Sequence, residues 1–167
     1  DALTGDEVVI SYLDIHFTTG IEITEEVYLL SKGTKNIIQA MYNKGNRRFI
    51  AVSTRGVETV IVDKPSADAH ITEHISWERR RKYDDHRRAD ELVRASGLDW
   101  IILRPTNLIE APMRSTVNTV VDRHMYIAVN GKMPPRGRTL TSAVFAAFIL
   151  DQLDSDEYIG KTVGLFN

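Results

Sequence analysis

Three short apolar runs, EVVISYL at residues 7–13, RFIAVS at 48–53 and WIIL at 100–103, are separated by long stretches with helical spacing. None alternates strictly between apolar and polar residues, which is the pattern of a strand covered on both faces. Few folds accept several such strands. Linked by helices, they form a parallel α/β sheet with right-handed crossovers, and residues 7–13 are expected as one of its central strands.

The linking segments support this. After a loop through Gly20, Thr24 is expected to cap a helix whose first turn holds Glu25 and Glu26, the sign that suits the helix dipole. Val27, Leu30, Ile37, Ile38 and Met41 form its apolar stripe, and Gly45 ends it. A charged helix over about residues 76–96 carries Ala89, Leu92 and Val93 on one face and stops at Ser96-Gly97. Pro105 closes the strand that follows. Residues 125–129 are expected as a short strand, Pro134, Pro135 and Gly137 as a loop, Ser142 as the start of an apolar helix to about Leu153, and residues 162–166 as the last strand.

Composition narrows the function. A chain of 167 residues, 43% hydrophobic and 26% charged, has the make-up of one globular domain with an ordinary core. Having no cysteine, it has no disulfide framework, thiolate metal cage or cysteine nucleophile. A formal net charge of -2 supplies no general field for nucleic acid or an anionic membrane. The longest apolar run, residues 143–150, falls far short of the roughly 20 residues that span a bilayer, and no signal pattern opens the chain. A cytoplasmic protein acting on a small molecule is expected, with neither nucleic acid nor membrane as partner. The chain starts at Asp1 and enters an apolar run within a few residues, so it reads as one joined partway.

In open α/β sheets the ligand crevice lies beyond the carboxyl ends of the strands. That directs attention to Ser11 and Tyr12, Ser53 and Thr54, and the segment Pro105, Thr106, Asn107, Leu108. Their hydroxyls and amide could bond a ribose or a carbonyl; equally, such residues end strands and begin turns. His70, Glu73 and His74 have the spacing of an inverted zinc-protease motif but lack a third ligand, so no metal is expected. The cluster Arg79, Arg80, Arg81, Lys82, Arg87 and Arg88, interrupted by Asp84 and Asp85, which could pair with it along the helix, is expected as a solvated helix face, with a patch for a phosphate or an acidic partner as the alternative. Tyr83 and Arg87 have the spacing of a tyrosine-lysine acid pair, but arginine stays protonated. No G-x-G-x-x-G occurs in the chain.

Four stretches carry a family resemblance: residues 6–13 (DEVVISYL), 31–58 (SKGTKNIIQAMYNKGNRRFIAVSTRGVE), 85–108 (DHRRADELVRASGLDWIILRPTNL) and 145–165 (FAAFILDQLDSDEYIGKTVGL). In this order they resemble the atypical short-chain dehydrogenase/reductase superfamily, specifically the NmrA-like NAD(P)-binding proteins that include biliverdin and flavin reductases. The resemblance implies a Rossmann-like parallel sheet with flanking helices. The strands and glycine loop that open such a fold are absent here, so residues 1–167 form a single domain corresponding to its C-terminal portion. It also implies an NADP or NAD site: Ser11, Tyr12 and Leu13 on the adenosine side, Ser53 and Thr54 near the nicotinamide, His86 beside the ribose, and Pro105, Thr106, Asn107 and Leu108 flanking the nicotinamide ring. Asn107 stands where the biliverdin-reducing members have histidine. Lys82 and His86 occupy the places of the family's tyrosine and lysine, leaving Thr54, His86 or water to donate a proton.

The implied activity is NAD(P)H-dependent reduction of a flavin, a quinone or a similar flat acceptor. The alternatives are a redox-sensing module that holds the cofactor without chemistry, and an inactive truncated fragment. Without the opening strands, residues 7–13 are left at a sheet edge that invites pairing with another chain.

Overall fold

In the computed structural model the described residues are 3–15, 27–55, 57, 77–111, 117–121 and 139–166. Strand β1 (Val9–Ser11) is followed by helix α1 (Leu29–Lys44), β2 (Arg48–Val52), α2 (Trp77–Ala95), β3 (Asp99–Pro105), β4 (Asn107–Ile109), β5 (Asn118–Val121), β6 (Thr139–Thr141), α3 (Ser142–Asp151) and β7 (Lys161–Phe166). One sheet runs β1-β2-β3-β7-β5, and β4 pairs with β6 in a second. Strands β1, β2, β3 and β7 are parallel, with Ile10 beside Ile50, Ile50 beside Ile101, and Leu103 beside Val163. Strand β5 runs antiparallel to β7.

The buried runs split by alternation, because successive side chains of a strand face opposite ways. Phe49, Ala51 and Ile102 pack with Ile38 and Met41 of α1 and Val93 of α2. Ile50, Ile101, Leu103, Val163 and Leu165 face the other way, onto Val144, Phe145 and Phe148 of α3. Helices therefore cover both faces of the sheet, as near-continuous apolar strands require. The fold is the expected Rossmann-like α/β arrangement.

Several boundaries differ from the sequence expectation. Strand β1 covers Val9–Ser11 rather than residues 7–13, and it lies at the edge of the described sheet, not at its centre; Ile10 is 44% exposed. Covering on both faces is thus restricted to β2, β3 and β7. Thr24, Glu25 and Glu26 lie outside the described residues, and α1 begins at Leu29 with no cap from its own side chains and no acidic residue in its first turn. Gly45 does end α1, at φ 83°, with its N–H turned back onto the last carbonyls, and Gly97 at φ 64° follows α2. Thr141 caps α3 by accepting from the N–H of Val144 at 3.3 Å. Residues 125–129, 134, 135 and 137 lie outside the described residues, while β4, β5 and β6 had no counterpart in the sequence reading. Among the described residues no helix is long and apolar enough to cross a membrane.

Candidate functional site

The parallel strands β1, β2 and β3 end together, and a cavity of about 430 Å³ opens beyond them. Three segments form its floor: Tyr12, Leu13 and Asp14 after β1; Ser53, Thr54 and Arg55 after β2; and Pro105 through Leu108, from the end of β3 into β4. Helix α2 supplies the remaining wall with Lys82, Tyr83 and His86, whose spacing places them on one side of the helix. The structure therefore brings together Tyr12, Leu13, Ser53, Thr54, His86, Pro105, Thr106, Asn107 and Leu108. Ser11 does not line the cavity: it stays within β1, in register with Ala51, and the crevice starts one residue later.

Backbone bonds fix two of these segments. The N–H of Ser53 donates to Leu103 O at 2.8 Å and that of Thr106 to Leu165 O at 2.9 Å, so the sheet ladder continues into the cavity floor. Their side chains are treated differently. Ser53 Oγ, Thr106 Oγ1 and His86 Nε2 are all buried without a hydrogen-bond partner, and all three residues line the cavity. An unsatisfied buried polar atom costs roughly 1–3 kcal/mol, and these three belong to residues of the cavity floor and of its α2 wall. Thr54 is half-buried in the floor, its hydroxyl making only a long 3.4 Å bond to Arg55 O.

The cavity's charged groups form a compact network. Lys82 Nζ lies 2.5 Å from Asp14 Oδ1 and donates to Ile15 O at 3.2 Å, while His86 Nε2 stands 3.6 Å from the same Asp14 oxygen. Burial pushes the Asp14 carboxyl up, but His86, Lys82 and the Ile15 N–H together hold it well below the usual carboxylate range. Burial, with the Asp14 charge second, raises the Tyr12 hydroxyl.

This network corrects the expectation of a solvated basic face. Arg80 is exposed, and Arg87 and Arg88 pair along the helix with Asp84 at 2.9 Å and Asp85 at 3.7 Å as expected, but Lys82 closes on Asp14, Arg87 on Val57 O at 3.3 Å and Arg88 on Val27 O at 2.5 Å. The cations tie α2 to the segments beside it. Asp14 was missed as a site residue from sequence, although it is the first charge after a strand's carboxyl end; Lys82 and Tyr83 were weighed only for their places in an acid-pair pattern and Arg55 only as a substitute phosphate contact, and all four line the cavity. The side chain of Arg79, and all of His70, Glu73 and His74, lie outside the described residues; among the described residues no three histidine or carboxylate side chains gather as a metal site.

The profile of the NAD(P)H-binding family matches residues 1–156. The chain belongs to that family. This NAD(P)H-binding chain is similar in structure to a protein described as an NAD-dependent epimerase/dehydratase from Bacillus halodurans, with a TM-score of 0.69, 21% identity and 96% of the chain covered. It is also similar to a short-chain dehydrogenase/reductase from Veillonella parvula DSM 2008 in complex with NADP (TM-score 0.58, 19% identity, 82% covered). A third likeness is to a protein described as an NADH-flavin reductase from Streptococcus pneumoniae TIGR4 (TM-score 0.62, 19% identity, 98% covered). At these identities the likeness shows a shared fold. The chain spans 64%, 58% and 73% of those three proteins respectively. No curated protein matches it.

Ser53, Thr106 and His86 give the cavity lining hydroxyl and imidazole groups of the kind that the amide and sugar hydroxyls of a nicotinamide cofactor can bond, whereas the sequence carries no glycine-rich turn for the pyrophosphate.

Proposed function

We propose that this NAD(P)H-binding chain supplies the nicotinamide and acceptor side of an NAD(P)H-dependent reductase of the NmrA-like group, acting on a flavin, a quinone or another flat acceptor. The observation that carries this reading is that three buried polar atoms without a hydrogen-bond partner, on residues just after β2, just after β3 and in α2, belong to the lining of one cavity at the carboxyl ends of parallel strands. When bound, NADPH or NADH supplies the hydride. The chain's own residues orient and exclude. Ser53, Thr106 and His86 hold the polar edge of the nicotinamide nucleoside, while Pro105 and Leu108 give the ring and acceptor an apolar surface. Thr54 and His86 are the groups placed to deliver a proton, since Lys82 is bound to Asp14 and Ile15 O. With this reading go a small molecule as substrate and, from the absence of cysteine and of a signal pattern in the sequence, the cytoplasm as the proposed compartment.

The reading of the chain as the C-terminal portion of a longer Rossmann domain belongs to this proposal, and it agrees with the share of its structural relatives that the chain spans. A second reading, a module that holds the cofactor without chemistry, is favoured by the Lys82–Asp14 pair, which neutralises the residue standing in the family tyrosine's place. Loss of NADPH absorbance on adding FMN or a quinone separates the two. The reductase reading expects turnover that Thr54→Ala and His86→Ala each lower about tenfold or more. NADPH binding with no turnover for any acceptor would overturn it in favour of the second.

A further inference from the structure

Asp14 is the carboxylate of the cavity wall, and its two oxygens are used unequally. Oδ1 takes the Lys82 ammonium at 2.5 Å and the Ile15 N–H at 2.8 Å, and it faces His86 Nε2 at 3.6 Å. Oδ2 has no partner among the described residues. The side chain lines the cavity and is 32% exposed, with Oδ1 engaged and Oδ2 left without a partner.

We propose that Asp14 Oδ2 accepts hydrogen bonds from the 2′,3′-hydroxyl pair of the nicotinamide ribose, with Lys82 and the Ile15 N–H as the positioning groups that aim the carboxylate. The inference rests on the reading of this cavity as the nicotinamide half of the cofactor site. A vicinal diol offers two O–H donors, and an ionised carboxylate is purely an acceptor, so the match is charge-assisted. His86, Lys82 and the Ile15 N–H keep the group ionised against the cost of its burial. His86 Nε2, buried 3.6 Å from Oδ1 and without a hydrogen-bond partner, is a second polar atom beside the same sugar. The adenosine ribose is the other source of such a diol. In NADPH it carries a phosphate, which an ionised Asp14 would repel, and Asp14 faces His86, the residue in the place of the family's lysine, at 3.6 Å.

Calorimetry on the whole chain tests this with two half-cofactors: reduced nicotinamide mononucleotide, which carries only the nicotinamide ribose, and AMP, which carries only the other. Asp14→Asn keeps the shape and removes the charge. The expected result is about tenfold or greater weakening for the mononucleotide and none for AMP, the size of a lost charge-assisted hydrogen bond. The 2′-deoxy mononucleotide gives the second measurement. Wild type should bind it about tenfold more weakly than the parent, and Asp14→Asn should hardly distinguish the two; a merely structural role would leave that ratio unchanged. An unchanged ratio, or a loss confined to AMP, would overturn the inference. Failure of the wild type to bind either the mononucleotide or NADPH would overturn the cofactor-site reading itself.

Discussion

Asp85 and Ser31, 54 residues apart, meet at 2.6 Å, where the serine hydroxyl donates to the carboxylate of α2. The same carboxylate accepts the N–H of Ser31 at 3.2 Å and that of Leu30 at 2.7 Å. The first turn of α1 is therefore capped from another helix, by a carboxylate that is fully buried and complements the helix dipole. Asp85→Ala removes three bonds and leaves two buried donors, and is expected to cost about 2–3 kcal/mol. Asp85→Asn keeps an acceptor and should cost less. Urea denaturation reads the loss, and amide exchange at Leu30 and Ser31 should quicken selectively.

That contact also shows what the sequence could and could not reveal. Buried strands such as β2 and β3 announce themselves, because a run like FIAV fits few environments other than a covered sheet. The helix stops were legible for a similar reason, since Gly45 and Gly97 take backbone conformations that glycine alone adopts easily. The start of α1 was not, because its cap comes from Asp85 through tertiary structure. Strand-end residues Ser53, Thr54 and Thr106 were legible from topology alone. Asp14 was not, since its importance depends on Lys82 and His86 arriving from α2.

A second buried pair lies behind the site. Arg104 of β3 donates to Asp90 Oδ2 of α2 at 2.6 Å, with both side chains about 95% buried. Two buried charges are expensive to place, and far more so when one is removed. Arg104→Met should cost about 3–5 kcal/mol, and Asp90→Leu combined with it should recover part of that loss. Thermal melts of the two singles and the double measure the coupling; additive losses would show the pair to be unimportant.

Glu7 gives a pH signature at the opposite end of the sheet. The Thr4 hydroxyl, then the Thr4 N–H, then Asn46, donate to its carboxylate and lower it from 4.5 to about 2. A group whose folded value is depressed stabilises fully above its unfolded value and loses that contribution as pH falls through the folded one. Between pH 4.5 and about 2, wild type should therefore lose melting temperature faster than Glu7→Gln, with the two running parallel above that window. NMR titration of the Glu7 carboxyl should show a midpoint near the lower bound.

The edge of the sheet yields the last expectation. Among the described residues β1 pairs only with β2, and Ile10 at 44%, Leu13 at 39% and Tyr12 at 59% exposure lie on or just beyond it. An edge strand presents unpaired N–H and C=O groups, and apolar side chains beside them make it adhesive. This chain should accordingly self-associate through β1 as its concentration rises. Ile10 is the residue to change, because nearly half of its surface is already in solvent, so a lysine there can reach water without disturbing Ile50 beside it. Sedimentation should show a concentration-dependent mass for wild type and a monomer for Ile10→Lys, with the two melting alike when dilute. A wild-type monomer at every concentration would mean that this edge is covered rather than adhesive.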